Sequence, residues 1–214
     1  MAERREHDEV AYYYDSHSTE KDLMGEPSFH SRLVHYLMNV LTKLFPAQTC
    51  SIHKNLNFYQ TSDPNEYPLE PDIAVIKGVP FGRVRSWRVS KTGPAPQVIV
   101  EIGAQETWKK DLQEKPMQYM LMGVQEYFAY DPNLRPLTRD GRRLFGWRLD
   151  RAGRTMRELP LEPEGRLWSQ QLESFLLPDN RYLRLYDSNG QLRLTRDEAL
   201  AEKLRSLGID PDQM

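Results

Sequence analysis

Two short apolar segments, each carrying an acid, constrain this chain more than any other feature. Asp72-Ile-Ala-Val-Ile76 follows the turn at Pro71, and Gln97-Val-Ile-Val-Glu-Ile102 follows Pro94-Ala-Pro96. Both are rich in β-branched residues and too short for helices, so both predict strands. An ionised carboxylate on a strand with buried neighbours costs on the order of several kcal/mol unless positive charge meets it. Two such groups side by side also repel each other. A divalent cation held between Asp72 and Glu101 answers both problems, and all-oxygen ligands suit magnesium or manganese. The competing reading puts these acids at strand ends, facing water or paired with arginine.

The elements around these strands follow from local signals. Ser28 is a suitable N-cap for a helix running to about Phe45 and stopped by Pro46, with Leu33, Leu37, Val40, Leu41 and Leu44 as its buried stripe. Ser51 to Gln60 reads as one strand. A helix is expected from about Thr107 to Met122, ended by Gly123, and then a strand at Glu126-Tyr-Phe-Ala-Tyr130. From there to about Asp187 the pattern is β-rich, and Thr195 with Glu198 forms a capping box for a last helix. The expected fold class is α/β: a mixed central sheet flanked by helices, with a β-rich C-terminal extension. Residues 1–27 read as an N-terminal arm, 28–134 as the core, and 135–214 as the extension and last helix packed on the same domain.

The expected helix after Glu101 carries Asp111, Lys115 and Tyr119 at steps of four, so they share one face. Asp111 and Lys115 at this spacing make either a surface ion pair or the setting of a lysine held beside a metal-bound carboxylate. In the second case the lysine orients or deprotonates an attacking water and offsets charge on a phosphorane. Tyr119 and Tyr127 read as core residues.

These residues carry a resemblance. Glu101…Asp111-Leu-Gln-Glu-Lys115…Tyr119…Gly123-Val-Gln-Glu126-Tyr-Phe…Asp131-Pro132 resembles the Uma-type restriction endonucleases of the PD-(D/E)XK nuclease superfamily. Pro71-Asp72 matches the PD element, and Met24-Gly25-Glu26…His30 is similar to the N-terminal signature. The similarity runs in order from about residue 23 to 198. It implies a restriction-endonuclease-like core and a metal-dependent DNA endonuclease, with Asp72 and Glu101 as ligands of magnesium or manganese. The main-chain carbonyl of Ile102 is a third candidate ligand, and Glu26 is a further acid able to hold a water or a second metal. Much of the superfamily places its lysine two residues after the glutamate, where this chain has Gly103. Lys115 on the following helix is therefore the candidate catalytic lysine.

Gly103, Ala104 (in place of the family's serine) and Pro116 favour a second reading: a nuclease-fold protein that binds nucleic acid or a protein partner without cutting. A carboxylate-pair glycosidase is a third class, but no aromatic-lined sugar cleft is apparent. Arg83, Arg85, Arg88 and Lys91 surround Trp87, a segment that either grips DNA phosphates and stacks a base or forms an ordinary hairpin. Arg135, Arg139, Arg142 and Arg143 form a second basic run, read as plain surface. The net charge of −2 argues against non-specific coating of DNA but not against a nuclease. One cysteine, no secretory signal and no membrane-spanning apolar run lead to an expected cytoplasmic location. Cutting both DNA strands would suit a homodimer, since one site faces one strand.

Overall fold

The computed structural model describes residues 29–211, apart from 62, 64, 105, 106, 151 and 153. The chain divides into two compact units, Met1–Arg32 and Leu33–Met214. The second unit holds every strand described below.

Helix α1 spans Phe29–Leu44 and buries Leu33, Leu37, Val40 and Leu41 of the expected stripe together with Val34, while Leu44 at its end is half-buried. The region expected as one strand from Ser51 to Gln60 is instead two, β1 (Cys50–His53) and β2 (Phe58–Tyr59). Asn55 causes the break. Its φ is 49°, a left-handed conformation that no continuous strand accepts, and its amide donates to the Pro71 carbonyl at 3.1 Å.

The two acid-bearing segments form β3 (Ile73–Lys77) and β5 (Val98–Ile102), with the two-residue β4 (Trp87–Arg88) between them in sequence. β6 is Glu126–Tyr130, β7 is Leu144–Asp150 and β8 is Thr155–Glu158. These build a six-stranded sheet in the order β1-β3-β5-β6-β7-β8. Only β5 and β6 run parallel within it; the other neighbours are antiparallel, so the sheet is mixed. A parallel pair needs a crossover connection, and the helices between β5 and β6 provide it.

Those helices are two, where the sequence predicts one. α2 spans Trp108–Gln113 and α3 spans Lys115–Met122. Pro116 lacks the N–H that would bond back into the preceding turn, and the interruption falls at Glu114 (φ −107°, ψ −48°). Gly123, at φ 87°, then ends α3 in the left-handed conformation. The sheet face toward this crossover buries Ala74, Ile76, Ile99, Tyr127, Ala129 and Trp147 in one cluster with Trp108, Tyr119 and Met122.

The β-rich tail contributes twice. β7 and β8 extend the central sheet, while β9 (Leu167–Ser169), β10 (Ser174–Asp179) and β11 (Tyr182–Tyr186) form a separate antiparallel sheet. Buried Glu126 on β6 fastens the two sheets. It accepts from Arg148 Nε at 2.8 Å, Ser169 Oγ at 2.5 Å and the amides of Gln170 and Gln171 at 3.0 Å. The last helix, α4 (Arg196–Ser206), starts with the expected reciprocal cap between Thr195 and Glu198. Among the described residues, no helix is long and apolar enough to cross a membrane.

Candidate active site

Antiparallel pairing of β3 with β5 matches Ile73 to Val100. One step beyond that pair brings Asp72 opposite Glu101, and residues directly opposite share a face. The Asp72 amide lies 3.4 Å from Glu101 Oε2, and Asp72 Oδ2 accepts from the Ile102 amide at 2.7 Å. The N–H and C=O of one strand residue point to the same edge, so the Ile102 carbonyl is also directed to the β3 side. Consistent with this alternation, the next amide, that of Gly103, donates the other way, to Tyr130 O on β6 at 2.7 Å.

The crossover supplies the remaining groups. Lys115, in the first turn of α3, places Nζ 2.9 Å from Glu101 Oε1 and 2.7 Å from Asp111 Oδ1. Tyr119 donates its hydroxyl to Glu101 Oε1 at 2.5 Å. Asp111 also accepts from Thr107 Oγ1 at 3.0 Å. Glu101 is 4 % exposed, Asp111 1 % and Tyr119 0 %, so these are interior contacts. Asp111 and Lys115 do not form the surface ion pair that their spacing also allowed. The helix break at Glu114 leaves the shared face intact, because Lys115 and Tyr119 both still meet Glu101.

Among the described residues, Lys115 is the ammonium within ion-pair distance of both Glu101 and Asp111. Burial, opposed by Lys115 and reinforced by Asp72, pushes the Glu101 carboxyl up to about 7 from its ordinary 4.5. Burial works against the charge on Lys115, but Glu101 and Asp111 outweigh it and raise the lysine above its ordinary value. Lys115 is thus an ammonium at neutral pH. It suits charge stabilisation rather than the removal of a proton from water.

Gly103 explains why no lysine stands two residues after the glutamate. A Cβ there would lie 2.1 Å from Trp108 Cε3 and 2.4 Å from Cζ3, on a rigid ring. Trp108 of α2 fills the space that a side chain at 103 would need.

The other sequence candidates fall elsewhere. Glu26, with Met24 and Gly25, lies outside the described residues. His30 sits at the start of α1. Trp87 is not free to stack on a base. It is 2 % exposed, donates Nε1 to Pro94 O at 3.0 Å and packs beside Phe58 and His53. Its ring occupies the space beside Gly93, where even a methyl group would clash. Arg88 covers the Tyr59 ring and donates to Thr61 O at 2.8 Å, whereas Arg83, Arg85 and Lys91 are exposed. In the second basic run, Arg142 pairs with Glu158 and Arg143 bonds Asp131 O and the Tyr130 hydroxyl. Tyr119 and Asp111 are the site residues whose part the sequence understated. Their four-residue spacing from Lys115 was the available signal.

A family model described as "Uma2: Putative restriction endonuclease" matches residues 2–202. The chain belongs to this Uma2 family. Among solved structures it is similar to a putative nuclease belonging to DUF820 from Anabaena variabilis, at 15 % identity and a TM-score of 0.47, covering 69 % of this chain and 75 % of that one. No curated protein matches the chain.

Two outcomes follow from the site's packing and charge. Gly103→Ala should destabilise the fold by about 1–3 kcal/mol in urea unfolding, since the Trp108 ring must move; an unchanged midpoint would mean that the ring yields freely. In chelator-treated protein, folded Glu101 keeps its proton between pH about 4.5 and about 7 while the unfolded chain has lost it. Its contribution is therefore full below the lower value and is lost as pH rises through the upper one. Glu101→Gln should gain stability relative to wild type as pH rises across that window; a constant difference would place the Glu101 titration at its ordinary value.

Proposed function

We propose that this protein is a metal-dependent endonuclease that hydrolyses DNA phosphodiesters, with Asp72 and Glu101 as metal ligands. The observation that carries the reading is the opposition of two carboxylates on adjacent strands, Asp72 and the buried Glu101, with the Lys115 ammonium beside Glu101. A divalent cation suits such an all-oxygen pair. Among the described residues no three His, Cys, Asp or Glu side chains gather into a ready-made metal cage. Magnesium does not require one: it commonly binds through one or two carboxylates, with waters and substrate phosphate completing the shell. The two carboxylates, with the Ile102 carbonyl directed to the same edge, fit that pattern.

Bound there, magnesium or manganese would polarise the scissile phosphate and offset its charge. The rest of the chemistry falls to the chain. Asp72, held by the Ile102 amide, and Glu101, held through Oε1, present fixed oxygen donors. Lys115 brings a positive charge beside them, where negative charge grows on the phosphorane. Asp111 keeps that ammonium charged and turned toward Glu101. Hydrolysis adds water across one P–O bond, leaving one phosphate and one hydroxyl end. Cutting both strands would take two copies of the chain. Arg83 and Arg85, exposed between β3 and β5, are the proposed phosphate contacts of the basic segment.

Incubating supercoiled and linear DNA with the protein in magnesium or manganese should give cleavage that chelator abolishes. Asp72→Ala should remove that cleavage while leaving the fold intact, because it deletes one of the repelling acids. Lys115→Ala should slow it by about a hundredfold or more, the scale of losing one transition-state charge partner. Cleavage that survives chelation or Asp72→Ala would overturn the proposal, as would no cleavage by the wild-type protein with either metal.

Replacing Arg83 and Arg85 together with alanine should flatten the salt dependence of DNA binding. Each lost phosphate contact lowers the log–log slope by about 0.9 on B-DNA. An unchanged slope in a salt titration would return the segment to ordinary surface.

A further inference from the structure

The two oxygens of Glu101 have different surroundings. Oε1 receives two donors, the Tyr119 hydroxyl at 2.5 Å and Lys115 Nζ at 2.9 Å. Oε2 faces the start of β3, 3.4 Å from the Asp72 amide. The two donors on Oε1 are not equivalent. Lys115 keeps 23 % of its side chain exposed and divides its ammonium between Glu101 and Asp111. Tyr119 is fully enclosed and has no second carboxylate bonded to its hydroxyl among the described contacts. Its ring lies against Tyr127, centroids 5.0 Å apart, and Tyr127 in turn stacks on Trp147 at 5.2 Å. Tyr127 is itself pinned, donating its hydroxyl to the Asp111 carbonyl at 2.8 Å. A phenol packed this way has little freedom to point anywhere but at Glu101.

We propose that Tyr119 is the positioning residue of the metal site: it holds Glu101 Oε1 permanently, so that Oε2 is presented to the ion beside Asp72. This rests on the reading of Asp72 and Glu101 as metal ligands and adds the residue that orients one of them. A carboxylate free to rotate would offer the ion either oxygen and would lose the entropy of that freedom on binding. One locked by a buried donor offers a single oxygen in advance. The arrangement also frees Lys115. If its ammonium turns from Glu101 to a phosphate, Tyr119 still satisfies the buried oxygen left behind.

Manganese affinity, measured by calorimetry without DNA, tests this separately from cleavage. Tyr119→Phe keeps the ring and removes only the donor, and should weaken manganese binding by about 10- to 100-fold, the usual effect of losing a group that orients a ligand. Tyr127→Phe is the control: it removes a buried hydroxyl from the same cluster, and should leave the affinity within about twofold of wild type by the same reasoning. Should Tyr119→Phe fail to fold, Lys115→Met remains decisive. With Tyr119 in place, it should bind manganese as tightly as wild type or more so, having lost a competing positive charge. Wild-type affinity in Tyr119→Phe, or a loss of about tenfold or more in Lys115→Met, would overturn the role of Tyr119 while leaving the metal site standing. No manganese binding by the wild-type protein would remove the metal site itself, and this role with it.

Discussion

The interaction on which the site depends is the contact of one buried carboxyl, Glu101, with the helical crossover that follows it. A strand buried on both faces has no water to hydrate an acid, so its partners must come from whatever packs on the sheet. Here they come from α3, which sets Lys115 and Tyr119 on one oxygen of Glu101. The parallel relation of β5 and β6 is what requires a crossover at that place. Sheet topology and site electrostatics are therefore one constraint. If β6 followed β5 through a tight hairpin, Glu101 would sit under no helix and would have no ammonium beside it.

The crossover must break to make this contact and keep the core closed. Trp108 of α2 lies over Gly103 so closely that no side chain fits there. Lys115 and Tyr119 of α3 reach Glu101, two residues earlier and within β5. Pro116 stands just after the interruption at Glu114, and the residues four apart remain in line across it. A feature that in sequence argues against a working helix therefore separates two packing tasks in the structure.

The strands, the mixed sheet, the capped ends and the opposition of Asp72 and Glu101 were legible in the sequence, because β-branched runs, breakers and caps act locally. The interruptions were less so. Asn55 divides the expected strand by adopting a left-handed conformation that few residue types invite but none guarantees. Trp87 shows the limit more sharply. Its four basic neighbours suggest a surface that grips nucleic acid, yet the ring is enclosed beside Gly93 and Phe58, and no local signal fixes which way an aromatic in a loop will turn. Tyr119 reads as core in the sequence and is core in the structure. That it also bonds Glu101 depends on the register between α3 and β5, a long-range relation that spacing along one helix cannot supply.

Placing the lysine on a helix rather than on the acid-bearing strand changes the electrostatics of the site. On the strand, a lysine two residues from Glu101 would share its face of the sheet and answer mainly to that acid. On α3, Lys115 sits one turn from Asp111 and takes that carboxylate as a second partner. The two crossover helices therefore bring one negative and one positive charge to this contact, Asp111 from α2 and Lys115 from α3. The proposed divalent cation would then meet Asp72 and Glu101 with Lys115 already held by Asp111. Asp111 also helps to keep Lys115 an ammonium against the cost of its burial. A lysine so held is poor at taking a proton but well suited to meeting a phosphate.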